Sequence, residues 1–121
     1  MAFEKYIPQS NKNRPAASIS TLGRLSLNEA SVIAFDLKDK SFAEFFYDSE
    51  ESLIGIRFCD KEATDTLRAQ RRPNSGLFFS LKTFFKLCNI DYASTYFCEV
   101  RQDANDKNFI IVDLKTRTER S

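Results

Sequence analysis

The chain contains no histidine and no tryptophan, and only three residues each of glycine, proline and cysteine. Without histidine, it lacks the imidazole group that most often serves in acid–base catalysis and in metal coordination. Three cysteines without a Cys-x-x-Cys pair are also too few for a zinc site built on thiolates. The opening MAFEKYIPQ lacks the pattern of a signal peptide, and no apolar run reaches the roughly 20 residues of a membrane-spanning helix. We therefore expect a cytoplasmic protein with reduced cysteines, no metal and no cofactor.

Groups that carry out catalysis are equally scarce. An active site needs a nucleophile, a base and a way to stabilise charge in one cleft. The acids Asp48, Glu50 and Glu51 form a cluster, but their polar surroundings predict a solvated hairpin loop. Cys88 lies on the apolar side of a predicted helix, where a thiol packs rather than reacts. We expect no enzymatic activity and infer no small-molecule substrate.

The residues that are plentiful indicate a folded domain of ordinary size. The 121 residues are enough for one domain with its own core, and 42% of them are hydrophobic. Twelve are phenylalanines, and most of these fall in predicted strands or a predicted helix, which favours a role in the core. The formal net charge is only +1, so the overall charge indicates no particular partner.

The order of polar and apolar segments predicts one domain made of two related halves. The predicted organisation is an extended arm at 1–16, a globular domain at 17–114 and a tail at 115–121. Within the domain, half-units at 17–59 and 76–114 are joined by the polar linker 60–75. Each half-unit has the order glycine turn, strand, short helix, strand, polar loop and strand. We expect a mainly β fold with short helices (α+β), in which tandem strand-turn-strand-helix-hairpin units pack as one pseudo-symmetric small β-barrel.

The first half-unit has clear local signals. Gly23 suits a turn that needs a positive φ angle, and Asn28 is a typical helix N-cap. The helix that follows is predicted to bury a face made of Ala30, Ile33, Ala34 and Leu37. Strands predicted at 42–47 and 53–59 form a hairpin. Gly55 in mid-strand indicates a bulge or a close approach of another stretch of backbone.

The second half-unit repeats this order with a more aromatic helix. A strand is predicted at 77–79, followed by an N-cap at Ser80. The buried face of this helix is predicted to comprise Leu81, Phe84, Phe85 and Cys88. Strands at 93–101 and 108–114 complete the unit. The two halves are aligned by placing Leu27 on Leu81.

The segment Leu22-Gly23-Arg24-Leu25-Ser26-Leu27, with the helix and hairpin that follow it, resembles the swapped-hairpin modules of the AbrB, MazE and MraZ families. The tandem arrangement is similar to that of MraZ in particular. The resemblance implies a swapped-hairpin β-barrel and, more remotely, DNA binding in transcription regulation. The sequence departs from the family pattern at Asn28, where a proline is usual, and at Leu77, where the turn arginine is missing.

Clusters of basic residues favour contact with nucleic acid. The candidate phosphate-binding residues in the arm, the turn and the linker are Lys12, Arg14, Arg24, Arg68, Arg71 and Arg72. Aromatic side chains such as Tyr6, Phe45 or Tyr47 would stack on single-stranded bases if they were exposed beside these residues. The resulting hypothesis is a small regulatory protein that binds duplex or single-stranded DNA.

A protein-interaction module is the alternative hypothesis. The strand at 42–47 carries aromatic residues on both faces, and a chain this short has few layers with which to cover them. The aromatic strand face would then dock on another protein or on a second copy of the chain, giving a homodimer that needs no nucleic acid.

Overall fold

The computed structural model describes residues 14–71 and 76–119. In chain order, the elements are β1 (Ala16–Ile19), β2 (Arg24–Leu27), α1 (Glu29–Ala34), β3 (Phe42–Asp48), β4 (Leu53–Cys59), β5 (Leu67–Arg68), β6 (Gln70–Arg71), β7 (Leu77–Ser80), α2 (Lys82–Leu87), β8 (Tyr96–Gln102) and β9 (Phe109–Glu119). The prediction of a mainly β protein with short helices is confirmed. Neither described helix has the length and apolar character that crossing a membrane requires.

The described strands form one antiparallel sheet that curls into a nearly closed barrel. Their order is β5-β3-β4-β9-β8-β1-β2-β7-β6. The two ends of this order, β5 and β6, are separated in the chain by Ala69 alone. Strand β5 pairs with β3, and β6 pairs with β7. The stretch from Leu67 to Arg71 therefore joins the two ends of the sheet, which leaves little unpaired strand edge.

Alternation of side chains along the strands gives the barrel its core. Leu25 and Leu27 of β2 are fully buried, whereas Arg24 and Ser26, which alternate with them, face outward. On β4, Ile54, Ile56 and Phe58 point inward, as the sequence pattern predicts. Among the aromatic rings, Phe58, Phe79 and Phe85 are buried in the core, and Phe45 and Phe84 pack against it.

Helix α1 is capped as predicted but buries a different face. The Asn28 side chain accepts a hydrogen bond from the Ser31 backbone N–H at 3.0 Å. The predicted burial of Ile33 and Ala34 is wrong, because both are exposed, Ile33 at 73%. Ser31 takes the buried side instead, where its hydroxyl donates to the Ala16 carbonyl at 3.2 Å. The buried residue of α1 is thus a polar one whose hydroxyl has a backbone partner, and apolar spacing does not predict it.

Helix α2 agrees better with its predicted stripe. Leu81 and Phe85 are buried, and Phe84 and Cys88 are half-buried against the core. The N-cap position is Leu81 and makes no side-chain capping bond, so the predicted cap at Ser80 is one residue early. Ser80 is instead the last residue of β7.

The strands depart from the predicted segments at three places in the chain. Strand β1 begins at Ala16, within the stretch predicted as an arm. Strands β5 and β6 lie within the predicted linker. Strand β9 continues to Glu119, beyond the end predicted for the last strand. In the linker and at the end of β9, a polar stretch pairs through its backbone, which apolar alternation does not reveal.

Two glycines are required by close contacts. Gly23 has φ of +77°, as its turn position predicts. Gly55 lies in regular pairing on β4 under the Phe109 ring, so that a Cβ there would be 2.4 Å from the ring Cζ. The structure therefore shows neither the bulge nor the backbone approach predicted at Gly55, because the close contact is an aromatic side chain.

Candidate nucleic-acid interface

The strands on one side of the barrel, together with helix α2, carry no acidic residue. Apart from Glu4, every Asp and Glu lies at 29–65 or 91–119, and 14–28 and 66–90 contain none. The acid-free segments form β1, β2, β7, β6 and β5, which are consecutive around the barrel, together with α2. We call these elements the basic arc, and β3, β4, β8 and β9 the acidic arc. The formal charge of +1 thus hides a strong separation of charge in space.

The described cations of the basic arc are Arg24, Arg68, Arg71, Lys82 and Lys86, with Arg14 just before β1. Arg24 faces outward from β2, and its guanidinium carbon lies 4.8 Å from the centre of the Phe78 ring. Phe78 is only 8% exposed, although its pairing with Ser26 places it on the outer face. The arginine is therefore held over an aromatic ring, which fixes its position while its donors remain available.

Arg68 has a similar setting on the strand that closes the barrel. Its guanidinium carbon lies 5.5 Å from the centre of the Phe42 ring, in the cross-strand neighbour of Arg68. Phe78 pairs with Gln70 on one side and with Ser26 on the other. Gln70 is two residues after Arg68, and Ser26 is two residues after Arg24. Arg24 and Arg68 therefore both lie on the outer face of the barrel.

Lys82 and Lys86 extend this surface onto α2. Both are exposed, and a spacing of four residues places them on the same side of the helix. The turn before Arg24 packs directly against the start of α2, since a Cβ on Gly23 would lie 2.7 Å from the Lys82 Cβ. The candidate site residues predicted from the sequence do not include these two lysines. The acid-free run at 66–90 is the signal that would have found them.

Two of the predicted phosphate-binding residues have partners within the protein. Arg14 forms an ion pair with Glu99 of the acidic arc at 3.4 Å. The Arg71 guanidinium donates to the Leu37 carbonyl at 2.7 Å and also to the Lys40 carbonyl. Both carbonyls belong to the loop after α1, so Arg71 ties β6 to that loop. Lys12 and Arg72 lie outside the described residues.

The aromatic residues proposed for base stacking do not flank these cations. Phe45 points into the core, where its ring centre lies 4.8 Å from that of Phe79 and 6.0 Å from that of Phe84. Tyr47 is half-buried and packs against the same core. Tyr6 lies outside the described residues. Stacking of single-stranded bases on Phe45 or Tyr47 is therefore not supported.

The surroundings of the three cysteines and of the loop 48–52 favour a structural role over a reactive one. Burial raises the pKa of the Cys98 thiol to about 11 and raises that of Cys88, while burial and the nearby Glu44 carboxylate raise that of Cys59. A raised pKa leaves less of the reactive thiolate at neutral pH. The Asp48 carboxylate accepts hydrogen bonds from the backbone N–H groups of Glu50 and Glu51 and so holds the hairpin loop in place.

No group of three or more Cys, Asp or Glu side chains within 14–71 and 76–119 has an arrangement suited to a metal ion. Comparisons with protein-family models, with curated proteins and with solved structures found no match for this chain.

Proposed function

We propose that the protein is a small, non-enzymatic, regulatory-type DNA-binding protein that contacts phosphates through its basic arc. The observation that carries this proposal is the acid-free run of strands β1, β2, β7, β6 and β5 with α2. A surface of one sign concentrates phosphate groups and speeds association even where net charge is small. The contact set becomes Arg24, Arg68, Lys82 and Lys86, because Arg14 and Arg71 are engaged within the protein.

Duplex DNA fits this surface better than a single strand does. Binding of single strands depends on exposed aromatic rings on which bases stack. Within the described basic arc, the large exposed apolar side chains are aliphatic, namely Leu22, Leu67 and Leu87. Phe78 is nearly buried beneath Arg24. Cations without stacking platforms favour recognition of a regular phosphate backbone.

A tandem, pseudo-symmetric origin of the barrel belongs to the same proposal, as does the similarity to the AbrB, MazE and MraZ modules. Strand β1 pairs with β2 of its own half and with β8 of the other. Strands β6 and β5, which lie in the linker between the halves, pair with β7 of the second half and with β3 of the first. This exchange of hairpins between halves supports a swapped-hairpin arrangement.

Backbone details at the helix ends support the duplication and adjust its alignment. Asp36 and Asn89 both have positive φ angles just after their helices, at +55° and +57°. The next residues, Leu37 and Ile90, each donate a backbone hydrogen bond to the carbonyl five residues earlier. These equivalences place Asn28 rather than Leu27 on Leu81, one residue from the alignment made by sequence. The unpaired cysteines agree with the cytoplasmic location that we propose.

Binding of labelled duplex DNA across a salt series tests the function. We expect log K to fall linearly with log salt, and the double variant K82Q/K86Q to lower the slope by about 1.8, or 0.9 for each lost phosphate contact. A single strand of the same length should bind more weakly. The matched control is K38Q/K61Q, which removes two exposed lysines from the acid-bearing segment and gives the same net charge.

Two results would contradict the proposal. Absence of duplex binding at about 50 mM salt would exclude a phosphate-binding role for the basic arc. Equal losses of affinity in K82Q/K86Q and K38Q/K61Q would show that overall charge, rather than the basic arc, governs binding.

A further inference from the structure

The outer face of the acidic arc carries an aromatic patch. Phe46 of β3 is 41% exposed, and its ring centre lies 5.9 Å from that of Phe109 on β9. Gly55 of β4 lies between these strands and leaves room for the Phe109 ring. The Arg57 guanidinium carbon lies 5.3 Å from the Phe46 ring centre and 5.4 Å from that of Phe109. We call Phe46, Gly55, Arg57 and Phe109 the aromatic patch.

Carboxylates surround the aromatic patch. Glu44 pairs across the strands with Arg57, and Asp48 and Asp113 both flank Leu53. The hairpin loop that follows β3 adds the exposed residues Glu50 and Glu51. The segment 29–65 as a whole holds ten acidic residues and four basic ones. Aromatic rings that flank Arg57 are thus exposed on this side of the barrel within a rim of carboxylates, of which Glu51 pairs with Lys115 and Asp113 pairs with Arg101.

The basic arc is complementary to this surface in both respects. Its strands and α2 carry cations and no acid, and it exposes the aliphatic side chains Leu22, Leu67 and Leu87, the last at 82%. The two arcs occupy separate, consecutive sets of strands around the barrel, so one molecule cannot bring them together. A second copy of the chain supplies the matching surface.

We infer that the aromatic patch and its acidic rim form a docking surface for the basic arc of a second copy of this chain. Such a contact is heterologous, because each copy contributes a different surface. It leaves one arc of each kind open at the two ends of a pair, so further copies add at higher concentration. Duplex DNA competes for the same basic arc and therefore disperses the assembly. The association itself needs no nucleic acid and is independent of the proposed function, whereas the competition by duplex DNA rests on that function.

Sedimentation velocity on nuclease-treated protein tests the inference. At an ionic strength of about 0.01 M, where the screening length is about 30 Å, we expect the average mass to rise with protein concentration. At about 1 M salt, where that length is about 3 Å, we expect the monomer. The charge reversals K82E/K86E on the basic arc and E50K/E51K on the acidic rim should each abolish association at low salt. F46S should weaken it without any change of charge.

A mixture of the two charge-reversed proteins gives the sharpest result. K82E/K86E retains its acidic rim, and E50K/E51K retains its basic arc, so together they have one intact contact. We expect the mixture to associate at low salt although neither variant associates alone, because the intact surfaces meet and the two reversed surfaces are also opposite in charge. Circular dichroism of each variant confirms that it is folded.

Three outcomes would overturn the inference. The first is a monomeric wild-type protein at low salt and about 100 μM, a concentration well above the dissociation constants of specific contacts. Association that survives both charge reversals would indicate a contact elsewhere, such as a symmetric dimer. Failure of the two folded variants to associate when mixed would show that the two surfaces do not meet.

Discussion

Replacing Arg71 distinguishes a structural arginine from a DNA-binding one. Arg71 was a candidate phosphate ligand by sequence, yet its guanidinium donates to the carbonyls of Leu37 and Lys40. A hydrogen bond that involves a charged group contributes about 1.5–3 kcal/mol where water is excluded. Because the side chain is largely exposed, we expect Arg71→Ala to lower the free energy of unfolding by about 2 kcal/mol for both bonds together.

A lysine at this position separates the role of geometry from that of charge. Its ammonium is a point charge on a flexible stem and lacks the fork that reaches two carbonyls at once. We expect Arg71→Lys to keep about half of the stabilisation, or about 1 kcal/mol. Urea unfolding followed by circular dichroism measures both variants, and an unchanged m-value confirms that stability alone has altered.

The DNA-binding assay supplies the second half of this test. Arg71→Ala should leave the salt slope of duplex binding unchanged, whereas a lost phosphate contact lowers it by about 0.9. The reasoning is refuted if Arg71→Ala retains full stability while the slope falls, since the guanidinium would then face phosphate rather than the loop after α1.

Three further predictions concern stability and reactivity. Gly76→Ala should cost at least about 2 kcal/mol, because φ is +87° and a Cβ would lie 2.0 Å from the Leu27 carbonyl oxygen. Gly55→Ala should cost less by the same denaturant assay, since the Phe109 ring can turn away; equal costs would contradict this. Phe79→Ala should destabilise the protein by about 3–5 kcal/mol, because the ring is fully buried. Phe46→Ala should lower the free energy of unfolding by no more than about 1 kcal/mol, because Phe46 is partly exposed. A larger loss would place Phe46 in the core. Cys98 should resist alkylation in the folded protein, with a rate that rises with pH toward its pKa of about 11, and unfolding should release it. Mass spectrometry after iodoacetamide treatment, with C98A as the control, measures this, and rapid labelling of folded Cys98 near pH 8 would count against its burial.

The sequence predicts the strands of the barrel because their side chains alternate. Gly23 and Asn28 are also predictable, since a positive φ angle and a helix cap demand particular residue types. The face of α1 is not predictable in this way, because Ser31 satisfies its hydroxyl with the Ala16 carbonyl from a distant strand. Strands β5 and β6 leave no pattern either, since they are two residues each and pair only through the backbone.

The candidate site shows a similar division. Arg24 and Arg68 were identified as cations by sequence, but their fixed positions over Phe78 and Phe42 depend on pairing between distant strands. Lys82 and Lys86 join them only because the Gly23 turn packs against α2. Which arginines are engaged internally depends on tertiary contacts, and charge patterns along the chain do not contain that information.

The short closing strand also determines how this barrel would come apart. Only two residues pair on each side of Ala69, in contrast to seven pairs between β3 and β4. A local opening there breaks few hydrogen bonds and leaves the longer ladders intact, so amide exchange should be fastest along this seam. Once open, β3 and β7 present bare edges to other molecules, and the aromatic residues of β3 make that edge prone to aggregation. We therefore expect the hydrogen bonds from Arg71 to the loop after α1 to limit aggregation as well as to stabilise the fold.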